Sequence, residues 1–193
     1  MLERPRDCFQ DLLDLGCEPE DLGIVTYNPI THRVDVSGSV WLDHKGLTRL
    51  SFAFGKVGGY FNCSGNRLTS LEGAPSKVGG YFNCSGNRLT SLEGAPSKVG
   101  GYFECSDNWL VSLEGAPTEV GGNFECFDNW LVSLEGAPRE VGRNFECSID
   151  GLQDVSALKG CKIKGALYFM GPTADKERVT QMLRAQGYEG RIR

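Results

Sequence analysis

Five cysteines stand at positions 63, 84, 105, 126 and 147, each 21 residues from the next. A set of thiols invites zinc coordination or nucleophilic and redox work. Zinc needs four ligands converging on one tetrahedral centre, whereas side chains repeated at identical steps of a stack are spread along its axis at ~4.8 Å each. No metal site is therefore expected. Disulfides are not expected either, because side chains on adjacent parallel strands run alongside one another. What remains is a file of small apolar core residues kept reduced, which implies a reducing, cytoplasmic setting. Cys8, Cys17 and Cys161 fall off the file and are expected in the core or at its ends. His32 and His44, the only histidines, sit in no Ser, Cys or metal-ligand signature, so a nucleophile has no visible base. With no phosphate-cradling G-x-x-x-x-G-K-[ST] and no G-x-G-x-x-G, neither an enzyme nor a cofactor is expected.

Carboxylates and aromatics supply the other candidate chemistry, and they too recur at a step of 21. Residues 56–76 (KVGGYFNCSGNRLTSLEGAPS) are repeated letter for letter at 77–97, and 98–118 and 119–139 continue the register with changes. Tyr60, Tyr81 and Tyr102 give way to Asn123 and Asn144. Asn62 and Asn83 become Glu104, Glu125 and Glu146. Ser64, Ser85 and Ser106 are followed by Phe127. Gly65 and Gly86 become Asp107 and Asp128, while Arg67 and Arg88 become Trp109 and Trp130. A row of carboxylates at ~5 Å spacing repels itself unless cations neutralise it. Divalent cations find hard oxygens in Glu104, Asp107, Glu125 and Asp128, yet their spacing is regular rather than cage-like.

A period of this length means a solenoid, in which each unit buries its apolar face by stacking on its neighbours. Within a unit, Phe61 and Cys63 alternate with Tyr60, Asn62 and Ser64, the period of two of a strand with one buried face. Asn66 marks where the chain turns away, Leu68 and Leu71 point back inside, and Gly73-Ala-Pro75 bends the return path. Stepping back 21 from Phe61, Cys63, Leu68 and Leu71 reaches Val40, Leu42, Leu47 and Leu50. Stepping forward from Phe124, Cys126, Leu131 and Leu134 reaches Phe145, Cys147, Leu152 and Val155. After one inserted residue, Ile163, Leu167 and Phe169 continue the series, giving seven rungs.

This pattern, with Asn at 66, 87, 108 and 129, resembles the leucine-rich repeat L-x-x-L-x-L-x-x-N-x-L, Phe and Cys taking the two strand leucines. It is most similar to a short-repeat subset, L-T-S-L-E-G-A-P-x-x-V-G-G-x-F-x-C-S-x-N, of tailed-phage and bacterial proteins. The resemblance implies an α/β repeat fold, a curved solenoid with a parallel sheet on its concave side, used mainly to bind proteins. Lys45 and Asp150 replace the asparagine in the first and sixth rungs, so the asparagine ladder is expected to weaken towards both ends.

Three segments follow. Residues 1–35 are expected to cap the N-terminal end, with a helix over 5–15 and a hairpin pairing Ile24-Val25 with Val34–Val36. Residues 36–170 form the solenoid, and 171–193 a capping helix followed by a disordered polar tail from Tyr188 to Arg193. The N-terminal MLERPRDCFQDLLDLG carries charges where an export signal has its apolar run, and no stretch approaches the ~18 apolar residues of a membrane span. The net charge of −5 and pI near 5.1 disfavour a general nucleic-acid binder. Charge is also segregated: residues 36–98 are net +4 and residues 99–150 net −8.

The expected role is non-catalytic protein binding, with phage-encoded sequestration of a host factor as the extension that the resemblance implies. The binding residues would be Tyr102, Glu104, Asp107, Trp109, Glu125, Phe127, Asp128, Trp130 and Glu146, facing a partner with a basic patch. Specificity is expected at 102–146, since identical rungs offer no positional discrimination. Tyr60, Arg67, Tyr81 and Arg88 form a secondary strip that could stack on nucleic-acid bases, a reading the net charge disfavours. Trp109 and Trp130 alternatively lie flat and seal the core. The second functional reading is a structural component, monomeric or weakly self-associating, that joins acidic to basic regions of different copies.

Overall fold

Each 21-residue turn brings two short extended pieces into register with the turns before and after it. One is centred on Phe-x-Cys and the other on Lys/Glu-Val. In the computed structural model, which describes residues 7–193, these pieces assemble into two eight-stranded sheets. The phenylalanine sheet runs in parallel register from Val40–Trp41 through Phe61–Asn62, Phe82–Asn83, Phe103–Glu104 and Phe124–Glu125 to Phe145–Ser148 and Ala166–Met170. The valine sheet begins with an antiparallel hairpin, β1 (Val25–Asn28) on β2 (Arg33–Val36), and continues in parallel from Phe54–Val57 to Lys162–Ile163. The inserted residue is absorbed where Val141 pairs with Ile163. The result is a solenoid-like stack of parallel strands.

The structure adds to one expectation about the architecture and corrects another. Beside the expected parallel sheet, every central turn contributes to a second, because Lys56-Val57 and its copies offer extended N–H and C=O groups at the same 21-residue step as the Phe strand. An α/β repeat is not what forms. Among the described residues, α-helices stand before and after the stack, α1 (Cys8–Asp14), α2 (Pro19–Leu22) and α3 (Thr173–Ala185), and one 3-10 turn lies within it at Ser156–Gly160. The return segment Leu68–Pro75 forms no helix and ends in Gly-Ala-Pro, with Gly73 at φ 89°.

The core is a set of files. Phe61, Phe82, Phe103, Phe124 and Phe145 are fully buried, and their rings stack with centroids 5.5, 5.4, 5.3 and 5.0 Å apart. The cysteine, leucine and valine files lie beside them, all buried. At the two ends, α1 buries Cys8 and Leu12, and α3 buries Val179 and Leu183. The helix expected over 5–15 is thus observed from Cys8 to Asp14, residues 5 and 6 lying outside the described residues. The tail is not disordered. Tyr188 is buried, and Arg191–Ile192 adds a parallel edge strand against Ala166–Leu167. The apolar Ile192 packs on the core while its polar neighbours face out.

Candidate functional site

The outward residues are held in place by a rigid interior. Asn87 shows how: its Nδ2 donates to the carbonyls of Cys63, Cys84 and Ser85 at 3.0–3.2 Å, and its Oδ1 accepts from Leu68 N at 2.9 Å. Asn66, Asn108 and Asn129 repeat this arrangement. Each asparagine therefore ties the end of its own strand to the turn before it. The thiols of Cys63, Cys84, Cys105 and Cys126 each donate to a carbonyl of the next turn at 3.4 Å. All eight cysteines are buried. Burial pushes the Cys63 and Cys161 thiols up to about 12, and raises Cys84, Cys105 and Cys126 well above the ordinary thiol value. Thiols held protonated in this way are poor nucleophiles and metal ligands.

On the outer face of the phenylalanine sheet, Trp41, Asn62, Asn83, Glu104, Glu125, Glu146 and Tyr168 fall in one file. The three carboxylates are half-buried and partly satisfied by amides. Asn83 Nδ2 donates to Glu104 at 2.9 Å, and Asn123 Nδ2 reaches Glu125 at 3.1 Å and Glu146 at 3.3 Å. Desolvation, and then the neighbouring Glu125 charge, raise the pKa of Glu104.

Next to this file the tyrosines stack, Tyr60 on Tyr81 and Tyr81 on Tyr102, with centroids 4.8 Å apart in both pairs. Trp41 meets Tyr60 edge-on at 5.9 Å. Each ring lies over the second glycine of the next turn, where a Cβ at Gly80 or Gly122 would collide with Tyr60 or Tyr102. That contact explains Arg143. It stands at the position of that glycine one turn after tyrosine gives way to Asn123, whose Oδ1 instead accepts from Asn144 N at 3.2 Å. Freed of the ring, residue 143 carries a side chain that returns to Tyr102, with Nη1 3.1 Å from the hydroxyl and the guanidinium 5.8 Å from the ring centre.

The turns after the strands that begin at Val40, Phe61, Phe82, Phe103 and Phe124 need a residue in the left-handed region. His44, Gly65, Gly86, Asp107 and Asp128 fill it, at φ of 53°, 63°, 62°, 53° and 53°. Aspartate tolerates this region better than most side chains, so Asp107 and Asp128 answer a backbone demand as well as carrying charge. Along this file runs an open groove of ≈ 470 Å³ that brings together Glu104, Ser106, Asp107, Phe127 and Asp128, with Gly65 and Gly86 between His44 and Asp107. A smaller recess holds Tyr81, Tyr102, Glu104 and Glu125.

Beyond the groove, Trp109 and Trp130 stack at 6.4 Å and 11°. They are 45% and 68% exposed. Val111 and Val132, at 49% and 48% exposed, stand two residues on, with Val132 N bonded to Val111 O at 3.0 Å. Sequence reasoning missed both valines. The signal was present, since Thr69 and Thr90 change to valine in the same turns in which Arg67 and Arg88 change to tryptophan. It also missed a second charge file on the valine sheet, where Lys56, Lys77 and Lys98 are followed in register by Glu119, Glu140 and Lys162. There, Lys98 pairs with Glu119 and Lys164 with Glu140, each at 2.7 Å. Of the secondary strip, Tyr60, Arg67, Tyr81 and Arg88 are all exposed.

Among the described residues, no group of three or more His, Cys, Asp or Glu side chains is placed to hold a metal ion, and no helix is long and apolar enough to cross a membrane. No protein family, curated protein or solved structure matches the chain.

Proposed function

We propose that the chain is a non-catalytic protein-binding module, a solenoid of the short leucine-rich type closed by its terminal helices. In this reading it contacts its partner through Trp109, Val111, Trp130 and Val132, with the groove and the carboxylate file alongside. The observation that carries the reading is the stacked, half- to two-thirds-exposed tryptophan pair bordered by exposed valines. Large apolar rings left in water beside charged groups resemble interface anchors. The partner then offers an apolar patch next to cationic side chains, which the excess of acid over 99–150 would steer. The idea of a phage product that sequesters a host protein adds only the resemblance of the repeat to this reading. Capture from bacterial lysate tests it: the chain carrying Trp109→Ala and Trp130→Ala loses the proteins that the unaltered chain retains. Equal recovery by both removes this face.

One observation favours a second reading. Lys56, Lys77 and Lys98 on the valine sheet repeat at the same turn spacing as Glu104, Glu125 and Glu146 on the phenylalanine sheet. Two copies could pair these ladders head to tail. Sedimentation across a salt series separates the readings. A salt-sensitive oligomer supports self-assembly, and a monomer at every salt concentration rejects it.

A further inference from the structure

We propose that the groove along the left-handed file is a binding site for a guanidinium group, the side chain of an arginine presented by a peptide. This deepens the protein-binding reading above and rests on it only for the source of the arginine. Three carboxylates, Glu104, Asp107 and Asp128, line the groove, and no lysine or arginine does. Among the described residues, the ion pairs lie elsewhere, at Lys98–Glu119, Lys164–Glu140 and Arg178–Asp175. The independent sign of a missing ligand is Ser106. It is 2% exposed, lies on the outward file of the strand beside Glu104, lines the groove, and its Oγ has no hydrogen-bond partner. A buried hydroxyl left unsatisfied is destabilising, and a donor entering the groove would satisfy it.

The shape of the groove narrows the choice of donor. Gly86 leaves a notch one turn long, roughly 5 Å at the spacing of paired strands. His44 closes it at one end, its ring over Gly65, and Asp107 at the other, with Oδ2 3.8 Å from where a Cβ on Gly86 would lie. Phe127 adds an aromatic wall. A guanidinium presents five N–H donors in a plane, bonds carboxylates in pairs and stacks on aromatic rings. An ammonium does none of the last two as well. The identical turns thus supply the floor of the site, and the diverged turns its charged and aromatic walls.

The test titrates the full chain with a capped Gly-Arg-Gly peptide, following backbone amide shifts, against the citrulline peptide of the same shape and a lysine peptide. The arginine peptide shifts the amides of Gly65, Gly86 and Ser106. The citrulline peptide binds at least about tenfold more weakly, as expected for loss of a charge-assisted pair, and the lysine peptide falls between. Asp107→Asn with Asp128→Asn, both tolerant of left-handed backbone, weakens arginine binding at least about tenfold, and Ser106→Ala about threefold. Asp150→Asn, a carboxylate outside the groove, changes nothing. Equal binding of the citrulline peptide, unchanged affinity in the double variant, or no shift at millimolar peptide overturns the proposal. Trp109→Ala with Trp130→Ala distinguishes the two readings. Peptide binding that survives loss of lysate capture leaves the notch intact, and a silent peptide with tryptophan-dependent capture removes the notch alone.

Discussion

The two identical turns at 56–97 and the two diverged turns at 98–139 have the same interior and different exteriors. Phe82 and Phe124 are both fully buried and stacked on their neighbours at comparable distances, and Asn87 and Asn129 make the same set of hydrogen bonds. Outside, Glu125 stands where Asn83 does two turns earlier, Asp128 where Gly86 does, and Trp130 where Arg88 does. Packing therefore constrains the inner files almost completely, whereas the outer files answer to a few local contacts and are otherwise free.

The largest effect that could break this comparison comes from the interior. Phe82→Ala and Phe124→Ala are each expected to cost about 4 kcal/mol, and to agree within about 1 kcal/mol, in urea unfolding. If the pair unfolds the chain, Phe82→Leu and Phe124→Leu carry the same comparison at smaller cost. A clear inequality would mean that the diverged exterior reaches into the core.

A smaller effect tests one of the local contacts. Gly122→Ala is expected to destabilise by about 1–2 kcal/mol through collision with the Tyr102 ring. Adding Tyr102→Asn recovers most of that loss, because Arg143 shows that the backbone at this position accepts a Cβ once the ring is gone. A double variant as unstable as Gly122→Ala itself would assign the penalty to the backbone instead.

The smallest effect concerns charge. The pKa of Glu104 is raised in the folded chain by desolvation and by Glu125, so its ionised form opposes folding above that folded value. Lowering the pH through it towards the ordinary glutamate range relieves the penalty. Glu104→Gln is thus expected to raise the melting temperature at pH 7 by less than about 2 °C, a shift discounted for solvent screening, and to lose the advantage as the pH falls. A gain that persists undiminished at low pH would point to packing rather than charge.

Much of the stack was legible because the inner files are written at a fixed step. Phe61, Cys63, Leu68 and Leu71 predict their copies, and the shift of one residue before Ile163 is visible in the letters. The valine sheet was not, since a two-residue strand such as Lys77-Val78 is too short for alternation to show. Asp107 and Asp128 looked like pure surface variation, although His44, Gly65 and Gly86 at the same step mark a turn of positive φ. Val111 and Val132 were overlooked because valine after a buried leucine reads as interior. The edge strand at Arg191–Ile192 was hidden because its pairing partner lies 25 residues away and its own sequence is polar.

The asparagine ties give the stack a property that a globular core lacks. Between the identical turns the asparagine ties and the buried files repeat without alteration, so 21 further residues copied between Ser76 and Lys77 would encounter neighbours indistinguishable from those already there. Such a chain lengthens as a crystal does, by adding a cell, and lineages could extend or shorten its reach by slippage in the gene while leaving every folding instruction unchanged.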